Sequence, residues 1–487
     1  MEKPIERRSV TAAQTGQEYV PSSKIRSAAD IERAAAGVID VDAKTTTYVV
    51  LACIIAASGG VLFGYDGGTT GGVESMAQFS RWFFPQTGDS SFYCKYNNKS
   101  LQAYSAIMHF TGSLASIPAS YFTQHWGRKG SMIIAGTSFC IGAVCQASAK
   151  NTFAPLFLGR IFWGIGVGFG DHCAFIYTAE MAPPRWRGRL NTIVQLGTIG
   201  GIVVANAINI GTNKWIAGWR ISLGLAAVPG SILLLGGLFL PETPNSLVER
   251  GYLSEAKNVL QKVRGTKDVD VEFDTIVLAN EALKGMENPW RAIFRRRNRP
   301  QLVLAIAMPF FQQWSAEIAV AIVFAVAAGK NAVNLPFGAS IAAIVLIGLY
   351  SISFGFAWGP IGWLIPSEIH DLNTRAAGQS ITVFTQLVSG ATVTQTFLNM
   401  LCSLKYGIYI FFGVWQFIAI FFTYFLVPET RGVPIEECAN FVRAHKIWRH
   451  ITYPGGVVPQ NEVVTQMQRL SVNLPAEQAA DGAASKR

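Results

Sequence analysis

The chain has 487 residues; half of them are hydrophobic, 14% are charged, and the formal net charge is +10. Hydrophobic runs recur along it, so the composition excludes an ordinary soluble enzyme and predicts a polytopic α-helical membrane protein. The positive charge does not indicate a nucleic-acid partner, because Lys and Arg lie mainly in short connections between apolar runs, where they set membrane orientation.

Residues 1–46 are polar and of mixed charge, which predicts a mostly disordered cytoplasmic tail without a cleaved signal peptide. Each apolar segment that follows is near the ~20 residues that a spanning helix needs. The first six lie at about 47–69, 101–122, 131–149, 153–176, 190–211 and 218–240. The connections after the second, fourth and sixth segments are basic, so we expect these connections and both termini to face the cytoplasm.

The connection 241–300 has apolar residues at helical spacing with charges opposite them, which predicts a cytoplasmic helical linker and not a catalytic domain. Four more apolar segments follow, at about 301–328, 338–365, 377–402 and 407–427, before a polar cytoplasmic tail, 428–487. We therefore predict an all-α protein of about ten transmembrane helices, with six in an N-terminal half, 47–240, and about four in a C-terminal half, 301–427.

Internal repeats relate the two halves. The stretch EMAPPRWRG from Glu180 is echoed by EIHDLNTRAAG from Glu368, an offset of 188 residues, whereas the first helices of the halves, near 48 and 302, are offset by 254. The difference of 66 residues is about the length of two spanning helices with their turns. The second half is therefore predicted to lack two crossings.

One carboxylate, Asp66, ends the first apolar run inside the stretch GGVLFGYDGGTTGG. A carboxylate inside a bilayer costs ~2.5–3.5 kcal/mol, so it normally faces a polar cavity and handles protons, ions or substrate. The residues alone leave a second interpretation open, that of an ordinary acid at the membrane edge.

Many motifs together resemble those of one family. They include GGVLFGYDGGTTGGVESM, FYCKYNN, GRIFWGIGVGFG, EMAPPRWRGRLN, PETPNSLVERG, FAWGPIGWLIPSEI and PETRGVPIEE. Over roughly residues 45–450 the chain resembles the sugar porters of the major facilitator superfamily, and among them the plant-type monosaccharide–proton symporters. Members of that family have twelve helices in two six-helix halves. Here FFQQWS runs directly into a stretch similar to the family's ninth helix, which predicts an internal deletion after Trp314.

The resemblance implies a secondary active transporter that imports a monosaccharide, a hexose such as glucose, with a proton by alternating access. It implies no cofactor, with protons as the coupling ion. Asp66 matches the family's proton acceptor and Arg160 its cationic partner. The family's sugar-contacting positions fall on Gln195, Ile202, Gln312, Gln313, Gly359 and Trp363, with Gln386 in place of an asparagine. Taken singly, an amide or an indole in a membrane helix serves equally well as interhelical glue or as an interface anchor.

The resemblance also implies an inner network of gate charges. Without the resemblance, each of these residues could equally be an ordinary solvated charge in a loop. They are Arg128, Glu180, Arg187, Glu242, Glu368, Arg375, Glu429 and Arg431. An extracellular lid disulfide is implied between Cys94 and Cys402. Asp171 and His172 stand where the family usually has neutral amides. Asp171 shares a helix face with Arg160, which suggests an intrahelical partner or a cavity-lining charge. His109 and His172 are interpreted as satisfied polar residues between helices.

Two alternatives stay open. One is a carrier-derived chain that does not transport, because it is truncated or incorrectly predicted; the other is a sugar sensor. Sensors of this lineage usually have long cytoplasmic extensions, and this tail is short. An enzyme is disfavoured, since no nucleophile–base pair, phosphate-binding loop or metal cluster stands out. A plasma-membrane location follows from the resemblance, and neither the sugar nor the oligomeric state can be inferred.

Overall fold

The computed structural model describes most of the chain. The described residues are 10–11, 18–19, 46–85, 94, 98–150, 152–183, 186–283, 288–314, 341, 345–346, 349, 358–371, 373–405, 407–429 and 435–453. Predictions about most of both tails, about Arg431 and about the junction after Trp314 lie outside these ranges.

The described elements are almost all helices. They are α1 Thr47–Ala56, α2 Ser58–Ser75, α3 Ala77–Phe83, α4 Lys99–His125, α5 Gly127–Ala147, α6 Ala154–Met181, α7 Arg187–Thr212, α8 Gly218–Leu225, α9 Ala227–Phe239, α10 Pro244–Glu249, α11 Leu253–Arg264, α12 Asp270–Leu283, α13 Pro289–Ile293, α14 Arg299–Trp314, α15 Trp358–Glu368, α16 Arg375–Leu404, α17 Gly407–Leu426, α18 Ile435–Ala444 and α19 Trp448–Thr452. A 3₁₀ turn, Arg296–Asn298, precedes α14. Two short strands, β1 Val10–Thr11 and β2 Glu18–Tyr19, pair antiparallel in the N-terminal tail.

Several helices have the length and composition of membrane spans. Among the described residues, five stretches are long and apolar enough to cross a bilayer: Thr47–Ser75, Gly127–Ala147, Gly188–Thr212, Gly218–Phe239 and Gly407–Leu426. They match five of the ten predicted segments. Three more predicted segments correspond to α4, α6 and α16, whose 27, 28 and 30 residues are also long enough to span. The described elements are helices apart from the short β1 and β2, so the all-α prediction is confirmed. Helices suit a bilayer because they satisfy their backbone hydrogen bonds internally.

Glycines on one face of α2 explain how it packs. Gly60, Gly64 and Gly68 recur every four residues, and a Cβ built on them would lie 1.9–2.7 Å from backbone oxygens of α7. Only helices without side chains at the contact can approach so closely. This packing fixes the rotation of α2 and leaves Asp66, on another face, directed toward α6.

The two halves meet along α4 and α16, which run antiparallel. Ser380 Oγ donates to the Ser116 carbonyl oxygen at 2.8 Å, and Ser116 Oγ donates back to the Ser380 carbonyl at 3.3 Å. At the other end of the same contact, Asn399 Nδ2 donates to Gln102 Oε1 at 3.3 Å. The halves are therefore joined over most of the length of these helices.

The linker between the halves forms short helices, as its periodicity predicts. A small apolar core joins α10, α11 and α12 through residues that include Leu247, Leu260 and Phe273. At the end of α11, buried Arg264 pairs with Glu272 of α12 at 2.7 Å and donates to the Met181 carbonyl at 2.9 Å. The last contact attaches this helical unit to the end of α6.

Candidate functional site

An ion pair lies buried in the first half. Asp66 of α2 is 1% exposed and Arg160 of α6 is fully buried. The Arg160 guanidinium donates through Nη1 to Asp66 Oδ1, and Thr70 Oγ1 donates to the same carboxylate oxygen at 3.1 Å. A buried carboxylate requires such partners, because an isolated charge is costly in a low-dielectric interior.

Aromatic rings provide a second environment for the Arg160 cation. Its Cζ lies 4.2 Å from the centroid of the Tyr104 ring and 5.2 Å from that of Trp163. The Tyr104 hydroxyl in turn donates to Gln146 Oε1 at 2.8 Å. Since ring faces attract cations, the guanidinium keeps favourable contacts when Asp66 is neutralised. The pair can therefore separate without leaving Arg160 unsupported.

The predicted sugar-binding residues divide between the two halves. Gln195 and Ile202 lie on α7; Gln195 is largely buried, and Ile202 is 40% exposed. On the other half, Gln312 Nε2 donates to the Gly359 carbonyl at 3.0 Å and thereby joins α14 to α15. Trp363 of α15 reaches the first half by stacking on Phe175 of α6, with ring centroids 5.0 Å apart.

Two further predicted residues, Gln313 and Gln386, belong to this second set, and one unpredicted residue lies beside it. Gln313, next to Gln312, is half-buried, and Gln386 of α16 is 2% exposed with no hydrogen-bond partner for its Oε1 among the described residues. Gly362 was missed by the sequence analysis: a Cβ there would lie 2.5 Å from Gln312 Oε1. The position of Gly362 directly before Trp363 in GPIGWLIP was the signal that could have identified it from the sequence.

A cavity of about 530 Å³ lies between α14 and α16. Its lining is mostly apolar and includes Phe310, Trp314 and Phe384, with none of the predicted sugar-binding residues. The hydroxyls of a sugar need polar partners, so this cavity does not match the predicted ligand.

At the end of α6 the charged residues form a compact network. Arg128 binds Glu180 at 2.7 Å and Glu249 at 2.9 Å, and the Thr243 hydroxyl donates to Glu180 at 2.5 Å. Glu242 accepts from the backbone N–H of Arg128 at 3.0 Å and pairs with Arg250 at 3.3 Å. Arg187, another of the predicted gate charges, has its side chain outside the described part, and Glu249 was not predicted.

In the second half, Glu368 ends α15, Arg375 begins α16, and Glu429 lies beyond α17. A buried arginine, Arg443, donates to Asp371 Oδ2 and, at 2.7 Å, to Asn298 Oδ1. This arginine comes from α18, far from the repeated motif, so the repeat did not indicate it.

The two unusual residues of α6 behave differently. Nδ1 of His172 forms a hydrogen bond with Thr123 Oγ1 at 3.2 Å, and its Nε2 lies 3.2 Å from the Ala376 carbonyl oxygen. It is a satisfied residue between helices, as predicted, and it connects the halves. Asp171 is 2% exposed, and its Oδ2 has no hydrogen-bond partner in the described part. Of the two suggestions for Asp171, a pair with Arg160 is not observed among the described residues, where Arg160 pairs with Asp66; a cavity-lining charge stays a prediction.

The other predicted histidine, His109 of α4, lies edge-on to Phe63 with ring centroids 5.9 Å apart. Its Nδ1 has no hydrogen-bond partner among the described residues, so the prediction of a satisfied side chain is not met at that atom.

A disulfide connects the halves near the ends of α4 and α16. Cys94 and Cys402 are 308 residues apart in sequence, and their Cα atoms are 4.7 Å apart. The covalent bond lies at the same end of the molecule as the Gln102–Asn399 contact. The described free cysteines are Cys53, Cys140, Cys145, Cys173 and Cys438.

Comparison with known proteins gives concordant results. The model of the sugar (and other) transporter family matches residues 52–321 and 315–441. Sugar transport protein 7 of Arabidopsis thaliana is 39% identical over 480 residues, covering 84% of this chain and 93% of that protein. Sugar carrier protein A of Ricinus communis is 39% identical over 484 residues, covering 85% and 92%. Each alignment has more positions than the number of residues of this 487-residue chain that it covers. The difference is gaps in this chain, so these relatives have residues without a counterpart here.

Solved structures agree on the fold. The proton:xylose symporter XylE bound to 6-bromo-6-deoxy-D-glucose superposes with a TM-score of 0.64 at 20% identity, covering 82% of this chain and all of the other. The inward-open conformation of XylE from E. coli gives 0.63 at 22% identity, with coverages of 81% and 99%. The chain therefore belongs to the sugar transporter family and has the fold of the major facilitator superfamily.

Proposed function

We propose that this protein imports a monosaccharide, a hexose such as glucose, together with a proton across the plasma membrane, with both termini in the cytoplasm. The observation that carries the proposal is the buried Asp66–Arg160 pair inside a chain of the sugar transporter family. The names of its relatives, which are sugar transport proteins, and the description of XylE as a proton:xylose symporter support it.

Coupling follows from the chemistry of the pair. A nearby cation favours the ionised carboxylate, so Asp66 takes up a proton when Arg160 moves away, and protonation in turn releases Arg160. The released guanidinium stays over the ring faces of Tyr104 and Trp163. One proton moving through 100 mV provides ~2.3 kcal/mol, enough for roughly fifty-fold accumulation of sugar.

The sugar is bound by neutral amides and an indole. Gln195, Gln312, Gln313 and Gln386 offer both donors and acceptors, which suits hydroxyl groups that do both. Trp363 provides an apolar ring face at the contact between the halves. Ile202 and Gly359 contribute apolar surface and backbone.

Inward opening requires the cross-half contacts to break. These are the reciprocal Ser116–Ser380 hydrogen bonds and the contact of His172 with the Ala376 carbonyl. The charges around Arg128 hold the end of the first half to the linker, and the disulfide holds the opposite ends of the halves together.

The proposal is tested by uptake of labelled glucose in transporter-deficient cells that express this chain. Asp66→Asn and Glu255→Gln are measured in parallel; Glu255 is an exposed acid of α11 and serves as the charge-matched control. We expect proton-dependent uptake that Asp66→Asn abolishes and Glu255→Gln leaves unchanged.

A version with the two missing helices restored separates the alternatives. If this chain reaches the cell surface without taking up glucose while the restored version takes it up, the chain is a carrier that has lost transport. Glucose binding without uptake in either version would instead identify a sensor.

A further inference from the structure

The helix that carries Asp66 carries a second acid near its outer end. Glu74 follows Asp66 by eight residues, and Thr70 lies midway between them. Residues four apart share a helix face, so the three side chains form one polar stripe along α2, with about 6 Å of helix rise between neighbours. The close contacts with α7 belong to a different set of positions, the glycines of α2.

Hydrogen bonds are present at both ends of this stripe in the structure. The Thr70 hydroxyl donates to Asp66 Oδ1 at 3.1 Å. At the other end, Ser105 Oγ of α4 donates to Glu74 Oε1. Glu74 is partly exposed, whereas Asp66 is 1% exposed, so the stripe leads from accessible surface to the buried ion pair.

Stability does not explain an acid at this position. Glu74 is the penultimate residue of α2, and negative charge near a helix C-terminus is unfavourable because of the helix dipole. Asp66, on the same helix, adds like-charge repulsion. The acid therefore calls for a functional explanation.

Other ionisable groups surround the stripe. From α6, Arg160 acts on Glu74 as an opposite charge, and Tyr104 and His109 of α4 interact electrostatically with members of the same group. On the side of α7, the outer part of that helix, residues 198–212, contains no ionisable side chain. Glu74 therefore lies within the electrostatic field of one cation, Arg160, and of one other carboxylate, Asp66.

We propose that Glu74 collects the coupling proton from the outer aqueous phase and passes it through Thr70 to Asp66. This inference rests on the proposed function. A hydronium ion or buffer acid first protonates the Glu74 carboxylate. The Glu74 O–H then gives its proton to Thr70 Oγ1, directly or through one water, while the Thr70 O–H gives its own proton to Asp66 Oδ1.

Charge and atoms balance in this transfer. One proton moves from Glu74 to Asp66, Thr70 ends as a neutral hydroxyl, and Glu74 is again an anion. Asp66 becomes neutral and releases Arg160. The relay requires no oxidant, metal or second substrate.

The test is the initial rate of labelled glucose uptake against external pH, from about 5 to about 7.5, in cells that express the full chain. Glu74→Gln preserves the shape of the side chain and an oxygen for Ser105 but cannot carry a proton. We expect roughly tenfold slower uptake at neutral pH, where protons are scarce, and recovery toward the parent rate at acid pH. Thr70→Val, which removes only the relaying hydroxyl, should act in the same direction.

Two controls make the result specific. Ser75→Ala changes an exposed neighbour at the end of the same helix and should keep the parent pH profile. Glu74→Asp, which restores a carboxylate, should regain uptake at neutral pH. Sugar counterflow, which needs no net proton movement, should be equal in Glu74→Gln and the parent.

The outcomes separate this inference from the proposed function. Parent uptake that is indifferent to pH and to Asp66→Asn would overturn the proposed function, and the relay with it. Parent uptake that depends on Asp66, with a Glu74→Gln profile identical to that of the parent, would overturn the relay alone. Loss of counterflow in Glu74→Gln would identify a structural role and would also overturn the relay.

Discussion

The glycine face of α2 gives a sharp test of how the first half is packed. A Cβ on Gly64 would lie 1.9 Å from the Thr198 carbonyl oxygen and 2.6 Å from its carbonyl carbon. Both are backbone atoms of α7, so no side-chain rotation relieves the clash. Gly67, three residues later on the same helix, is exposed, and a Cβ there would have no atom within 4 Å.

The magnitudes follow from these distances. In Gly64→Ala, α2 and α7 have to separate, because ordinary contact begins at 3.4 Å. Overpacking of this kind costs ~1–3 kcal/mol, and we expect the upper end because Gly60 and Gly68 lose their contacts at the same time. In Gly67→Ala the only effect is a better helix former, worth up to ~1 kcal/mol of stabilisation.

Thermal unfolding of the detergent-purified variants, followed by tryptophan fluorescence, measures the difference. We expect Gly64→Ala to melt several degrees below the parent and Gly67→Ala to melt at or above it. Equal melting temperatures for the two variants, or a reversed order, would show that α2 does not present its glycines to α7.

Three more predictions follow from other contacts. His172→Leu removes the contact with the Ala376 carbonyl and should favour inward opening, so maleimide labelling of Cys173, which is buried in this structure, should increase. His172→Gln can still donate and accept a hydrogen bond and should leave the labelling unchanged. Equal labelling in the two variants would contradict a gating role for His172. Cys402→Ser should lower the free energy of unfolding by roughly 5 kcal/mol, the upper end for disulfides, since the two cysteines are 308 residues apart in sequence; an unchanged denaturation midpoint would contradict this. Burial lowers the pKa of His370 to about 4, so stability is complete above pH ~6.5 and falls by roughly 3 kcal/mol as the pH decreases toward 4. His370→Gln should flatten this dependence in melting curves, and an unaltered slope would show that another group titrates.

Much of the candidate site could be predicted from sequence because its residues lie in local motifs. Asp66 within its glycine-rich stretch and Arg160 in GRIFWG were named as partners from the resemblance, and in the structure they form an ion pair. Arg128 and Glu180 were likewise named from loop motifs, and they form a pair at 2.7 Å.

Residues that act through distant partners were missed. Arg443 reaches Asp371 across 72 residues, and Glu249 reaches Arg128 across 121. No periodicity or repeat connects such positions. Asp171 shows the converse, because a shared helix face suggested a contact with Arg160 that another helix provides instead.

The sequence by itself determined the class of protein, the positions of most membrane helices and the types of residue in the site, since hydrophobic length and local motifs are properties of short segments. Only the tertiary structure decided which face of α2 meets α7. It also decided that Thr70 and Glu74 extend the polar stripe, that His172 joins the halves and that Arg443 anchors the second half. The physical reason is that helix rotation and partner choice depend on close packing between segments distant in sequence, and one chain read in order does not contain those distances.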